Sequence, residues 1–158
     1  MSDSRPDPEI VEAAPRLIVA TSRDYTMDTR HEIPAQFQGW FAAGHEIPEA
    51  VGDAIFGVSY NADGQGAFSY GVGVEVEGRP ATLPDGTCIL TTASGPHAVL
   101  RVFGPVTDLP GNFDWLFSTW MPEHGKTPRA GAVFERYPDD PRNGPDGMAY
   151  EIWAPIQP

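Results

Sequence analysis

Two glutamates stand inside runs that otherwise have the composition of buried strands. Glu135 lies in AVFERYP (132–138) and Glu151 in AYEIWAPI (149–156). Aromatic and β-branched residues favour a pleated, half-buried surface, and a carboxylate there must be solvated, paired or used. Alternate residues of a strand share a face, so Glu135 points with Val133 and Tyr137, and Glu151 with Trp153. If the two strands pair with Asn143 near the centre of their connection, the carboxylates face each other with Cβ atoms about 5 Å apart. Two anions that close in a desolvated site raise one pKa or draw a cation between them.

An aromatic cavity with carboxylates at its base is a receptor for organic cations. The rings offer their negative faces, worth about 0.5–2 kcal/mol each, and the carboxylate supplies the counter-charge. Trp40, Tyr60, Tyr70 and Trp115 are further rings without an evident core stripe. The plainer alternative is a wet sheet face, with Glu135 paired to Arg136, Arg129 or Arg101 at a rim. That is the commoner fate of a carboxylate, but the rings sharing both faces favour the cavity.

Other motifs carry less. HEIP occurs at His31–Pro34 and His45–Pro48, but Ala35 and Glu49 stand where a zinc-protease motif needs its second His. His97 and His124 lack partners at ligand spacing and Cys88 is the sole thiol, so no metal site is expected. The glycines of YGVGVEV do not form GxGxxG and continue as a strand, and no cofactor is expected. Ser94 lacks the glycine flanks of a nucleophile elbow.

The chain has 158 residues, a length that suits one domain. Ten Lys and Arg against twenty-two Asp and Glu give a net charge of −12, which argues against nucleic acid and acidic membrane surfaces. A single cysteine excludes an intrachain disulfide. The polar N-terminus has no apolar core of a signal peptide, and no apolar run reaches bilayer length. A cytoplasmic protein is the expectation.

Residues 1–15 read as a flexible tail and 16–158 as the domain. A strand is predicted from about Arg16, then a helix from Pro34 to Gly44 with Phe37, Trp40 and Phe41 at helical spacing. IFGVSY and FSYGVGVEV follow as a hairpin across NADGQGA. TCILTTASG and HAVLRVFG supply more strands, LPGNFDWLFSTWMPEHG a second helix closed by Pro122, and the two glutamate strands complete the chain. The order is strand, helix, strand, strand, twice over, a repeat of element order without evident sequence identity between the halves. The predicted class is α+β: two pseudo-twofold-related units forming a curved antiparallel sheet with two helices.

Taken in order, Val102-Phe103-Gly104-Pro105, the helix closing in Trp120-Met121-Pro122, Phe134-Glu135-Arg136-Tyr137 and Glu151-Ile152-Trp153-Ala154-Pro155-Ile156 resemble the GyrI-like small-molecule-binding domain, the effector-binding module of AraC- and MerR-type regulators. FGVSY and FSYGVGVEV agree more loosely, and the resemblance covers about residues 16–158. It implies a cleft between the repeats that takes lipophilic, often cationic compounds against a glutamate. Carried over, Glu135 and Glu151 are the acidic candidates, Tyr137 and Trp153 lie beside them, and Trp40, Tyr70 and Trp115 are weaker additions. About fifteen residues precede the domain, so a stand-alone module without DNA binding of its own is expected. Three functions are compatible: sequestration or sensing of hydrophobic cations or drug-like aromatics, hydrolysis of reactive cyclopropane-bearing natural products with Glu151 or Glu135 as base and Tyr137 as polarising group, and inhibition of a protein partner such as gyrase. A homodimer is also compatible.

Overall fold

A computed structural model describes residues 5–158; within them eight strands form one antiparallel sheet. The first half contributes β1 (Glu9–Ala13), β2 (Leu17–Tyr25), β3 (Ile55–Tyr60) and β4 (Phe68–Val76). The second contributes β5 (Cys88–Thr91), β6 (Gly95–Gly104), β7 (Val133–Tyr137) and β8 (Met148–Pro155). Across the sheet the order is β1-β6-β8-β7-β3-β4-β2-β5. This is the α+β arrangement expected from the pattern.

Helix α1 (Ile33–Ala43) grows from a 3-10 turn at Arg30–Glu32. Pro34 occupies its first turn, where a missing N–H costs nothing. Gly44 closes it in the left-handed region at φ 60°, its N–H bonded to the Phe41 carbonyl. Helix α2 (Leu109–Trp115) likewise follows a 3-10 turn, at Val106–Asp108, and carries Pro110. It widens into a π turn at Leu116–Trp120 before the short α3 (Met121–Glu123). Pro122, two residues beyond the end of that turn, has no N–H for the carbonyl four residues back, and the wider turn accommodates the loss.

Both helices cover the same face. Trp40 of α1 packs with Tyr25, Tyr70 and Val72, while Leu116, Trp120 and Met121 pack with Leu100, Tyr150 and Ile152. Among the described residues no helix lies on the opposite face, and the sheet buries it by curling. Val11 from the β1 edge and Leu90 from the β5 edge join one cluster with Ile18, Phe56, Phe134 and Trp153.

The halves do share sequence, in short pieces at matching places. Glu32-Ile33-Pro34-Ala35-Gln36-Phe37 and Asp108-Leu109-Pro110-Gly111-Asn112-Phe113 each lead from a 3-10 turn into a helix. Phe68-Ser69-Tyr70 and Met148-Ala149-Tyr150 open β4 and β8, and Ile55-Phe56 and Val133-Phe134 open β3 and β7. The amides of the first pair do equivalent work. Gln36 is buried, donates to the Tyr70 carbonyl (3.0 Å) and accepts from the Tyr25 hydroxyl (2.7 Å). Asn112 is buried and donates to the Tyr150 hydroxyl at 2.6 Å. Each amide ties its helix to the last strand of its own half.

The expected tail needs correcting. Residues 1–4 lie outside the described residues, but Glu9–Ala13 is a strand, paired with β6 from Glu9↔Val99 to Ala13↔Gly95. Ile10 and Val11 are too few to advertise a strand by periodicity; the exposed edge of β6 supplies the hydrogen bonds that make one.

Candidate functional site

The register of β7 against β8 decides the site. Phe134 faces Trp153, Glu135 faces Ile152 and Arg136 faces Glu151. Directly paired residues share a face, so Glu135 lies on the helix-covered side and Glu151 on the other. The carboxylates do not meet, contrary to expectation. A symmetric hairpin centred on Asn143 would have paired them. The tight turn instead lies off centre, closed by the Gly144–Gly147 bridge, after a separate turn in which Asp140 accepts from the Arg142 and Asn143 N–H groups. A slip of one residue moves every side chain to the other face.

Glu135 is 4% exposed. Tyr70 Oη donates to its Oε1 at 2.6 Å and Tyr137 Oη donates to the same oxygen at 3.2 Å. Burial pushes its pKa up to about 7 from an ordinary 4.5, with the two tyrosine hydrogen bonds pulling the other way. Both phenols are themselves raised well above their usual range, first by burial and then by the neighbouring carboxylate. The site is thus a carboxyl poised between its two protonation states, held by neutral hydroxyls.

The space for this contact comes from Gly57, which pairs with Glu135 across β3 and β7. A Cβ there would stand 1.9 Å from Tyr70 Oη and 2.9 Å from Glu135 Oε1. Phe37 of α1 closes the site from above, edge-on to Tyr137 (5.6 Å between centroids, 87°) and 6.1 Å from the Tyr70 ring. Tyr150 borders Tyr137 at 6.4 Å. Neither Phe37 nor Gly57 carries a site signal in the sequence. Phe37 read as helix core, and the meaning of Gly57 depends on a pairing partner distant in sequence.

The other candidates separate. Tyr70 and Tyr137 touch Glu135, and Trp40 packs in the same cluster as Tyr70 with its ring 4.8 Å from His45. Trp115 belongs to the cluster of the second half, under the Arg5 guanidinium at 5.1 Å. Tyr60 shares a hydroxyl contact with Ser22. Glu151 and Trp153 sit together on the opposite face: Trp153 Nε1 donates to Glu151 Oε1 (2.9 Å) and Arg136 to Oε2 (3.2 Å). Arg101 approaches that oxygen at 3.5 Å. The ion-pair reading therefore describes Glu151, and the ring-lined interior describes Glu135. Two open hollows of about 240 and about 420 Å3 lie away from Glu135, one beside Ile47 and Pro84, the other beside Glu151. Among the described residues no group of three or more His, Cys, Asp and Glu could hold a metal, and no helix is long and apolar enough to cross a membrane.

The buried carboxyl lies on the helix-covered face of a duplicated, eight-stranded antiparallel sheet. The chain belongs to the GyrI-like small molecule binding domain family, whose model matches residues 6–157. Among the curated proteins, none matches the sequence. The structure of SAV2435 bound to tetraphenylphosphonium is similar at TM-score 0.73 and 18% identity, over 96% of this chain and 94% of that one. An integron cassette protein from the mobile metagenome of Vibrio cholerae is similar at 0.71 and 15%, over 97% of both. EcmrR in its DNA complex is similar at 0.64 and 14%, over 95% of this chain and 57% of its own.

Proposed function

We propose that the protein binds hydrophobic organic cations against Glu135, acting by sequestration or as a sensor. The observation that carries this reading is the Glu135 carboxyl itself, 4% exposed and with no ion pair among the described residues, its oxygen held by two phenols. A buried carboxylate without a cation is an incomplete pair, and the rings of Tyr70, Tyr137 and Phe37 gather beside it, the kind of aromatic surface that a delocalised cation prefers. SAV2435, of the same fold, is bound to such a cation, tetraphenylphosphonium. The carboxyl is covered, with Phe37 packed against Tyr70 and Tyr137, so a ligand reaches it only when these rings shift. Titration with tetraphenylphosphonium tests the reading: saturable binding that Glu135→Gln abolishes supports it, and equal affinity in that variant removes its basis.

Hydrolysis is the second reading, favoured by the pKa of about 7, near which a general base works best. Glu135 would take a proton from water as the water oxygen bonds to a cyclopropane carbon; the ring C–C bond breaks, its electron pair passes into the conjugated carbonyl, and a tyrosine donates a hydrogen bond to the enolate oxygen so formed. Turnover of a cyclopropane-bearing substrate in excess over protein supports this, and stoichiometric loss alone rules it out.

A further inference from the structure

The hollow of about 420 Å3 on the helix-free face has a chemistry opposite to that around Glu135. Three guanidinium groups, from Arg16, Arg101 and Arg136, line it together with Glu75 and Glu151. On a chain of net charge −12, three guanidinium groups gathered in one hollow beside two carboxylates are a local concentration of cations. From it we propose a second binding site, for an organic anion that joins a carboxylate or sulfonate to an apolar body.

Hydrogen-bond capacity gives the first argument. Arginine carries five N–H donors. Arg136 spends one on Glu151, Arg16 one on Glu75 and Arg101 one on Glu9. Arg101 adds only a 3.5 Å approach to Glu151. The donors outnumber their acceptors, and a planar oxyanion matches the guanidinium fork in geometry.

Positioning gives the second. Arg16 is held in place by more than its ion pair: its guanidinium lies 5.0 Å from the Trp153 ring, 5.5 Å from Phe56 and 5.8 Å from Phe134. Glu151 is 12% exposed and is pinned by Trp153 Nε1, so it orients Arg136 without occupying the opening. Charges fixed in this way lose little freedom when a ligand arrives. At the mouth, Val51 is 46% exposed and adjoins Ala54 and Gly52, an apolar rest for the body of the ligand. Glu9 belongs to the rim pair with Arg101, where both side chains are about half exposed, and yields readily to a stronger acceptor.

Naphthalene-2-sulfonate is the probe, followed by calorimetry and by the indole N–H resonance of Trp153, which donates to Glu151. Saturable heat with a Trp153 shift is expected, and Arg136→Gln and Arg101→Gln should each weaken binding about tenfold, the worth of one charge-assisted hydrogen bond. Arg101 is 48% exposed, so that variant keeps the test valid if Arg136→Gln fails to fold. Glu135→Gln should leave sulfonate binding unchanged, which separates this site from the cation site across the sheet. An absent Trp153 shift, or equal affinity in Arg101→Gln, overturns the proposal.

Discussion

Gly57 and Glu135 face each other across the central strand pair, and the missing side chain of one is the space in which the other is hydrogen bonded. Each is the third residue of its strand, after Ile55-Phe56 in one half and Val133-Phe134 in the other. The duplicated fold therefore brings two equivalent positions together at its centre and fills only one. The emptied position admits Tyr70 Oη, whose hydrogen bond crosses from the first half to the second.

Gly57→Ala should consequently cost stability and ligand affinity together. The added methyl stands 1.9 Å from a buried hydroxyl, and overpacking of this kind destabilises by about 1–3 kcal/mol. Urea unfolding reads the first effect and tetraphenylphosphonium titration the second.

Glu135 also sets a pH dependence of folding. Its folded pKa, about 7, is above the ordinary 4.5, so between these values the folded protein keeps a proton that the unfolded chain releases. Stability should then fall as pH rises from 4.5 to 7 and level off beyond, by about 3 kcal/mol for this group alone. In Glu135→Gln this part of the slope should vanish from unfolding curves collected across that range.

Binding of a cation should show the complementary dependence. A cation pairs with the ionised carboxyl, so below the pKa of about 7 each ligand expels a proton. Affinity for tetraphenylphosphonium should fall about tenfold per pH unit below that point and stay flat above it. Tyr70→Phe removes the 2.6 Å hydrogen bond that favours the ionised form, and should move the break upward by about one pH unit. Tyr137→Phe, which removes the 3.2 Å bond, should move it less.

Glu151→Gln should leave tetraphenylphosphonium affinity within roughly twofold, as expected of a residue that shares no partner with Glu135. The register places it on the opposite face, and a large loss of affinity in this variant would contradict that placement.

The fold was legible because its signals are local. Pro34 and Gly44 bracket α1, and the alternation of Phe68, Tyr70, Val72, Val74 and Val76 announces β4. Glu135 was legible as a misfit among Phe134 and Tyr137, and Tyr70 as a ring outside any helical stripe. What escaped depends on distant pairing. Glu151 looks the same as Glu135 in sequence, and only the off-centre Gly144–Gly147 turn assigns them to different faces. The repeat escaped because its matches are short, and the most telling counterpart of Glu135 is a glycine, Gly57, which no comparison of side-chain types would select.

The edge strands carry a last implication. β1 precedes β2 in the chain yet pairs with β6, and β5 precedes β6 yet pairs with β2, so each half lends its first strand to the other. Neither half is a finished object. Expressed alone, residues 5–76 would present an uncovered β2 border and a β1 with nothing of its own to join, and a second copy of the same fragment would be its natural complement. The intact chain is in this sense a dimer of exchanged arms whose two subunits happen to be covalently continuous.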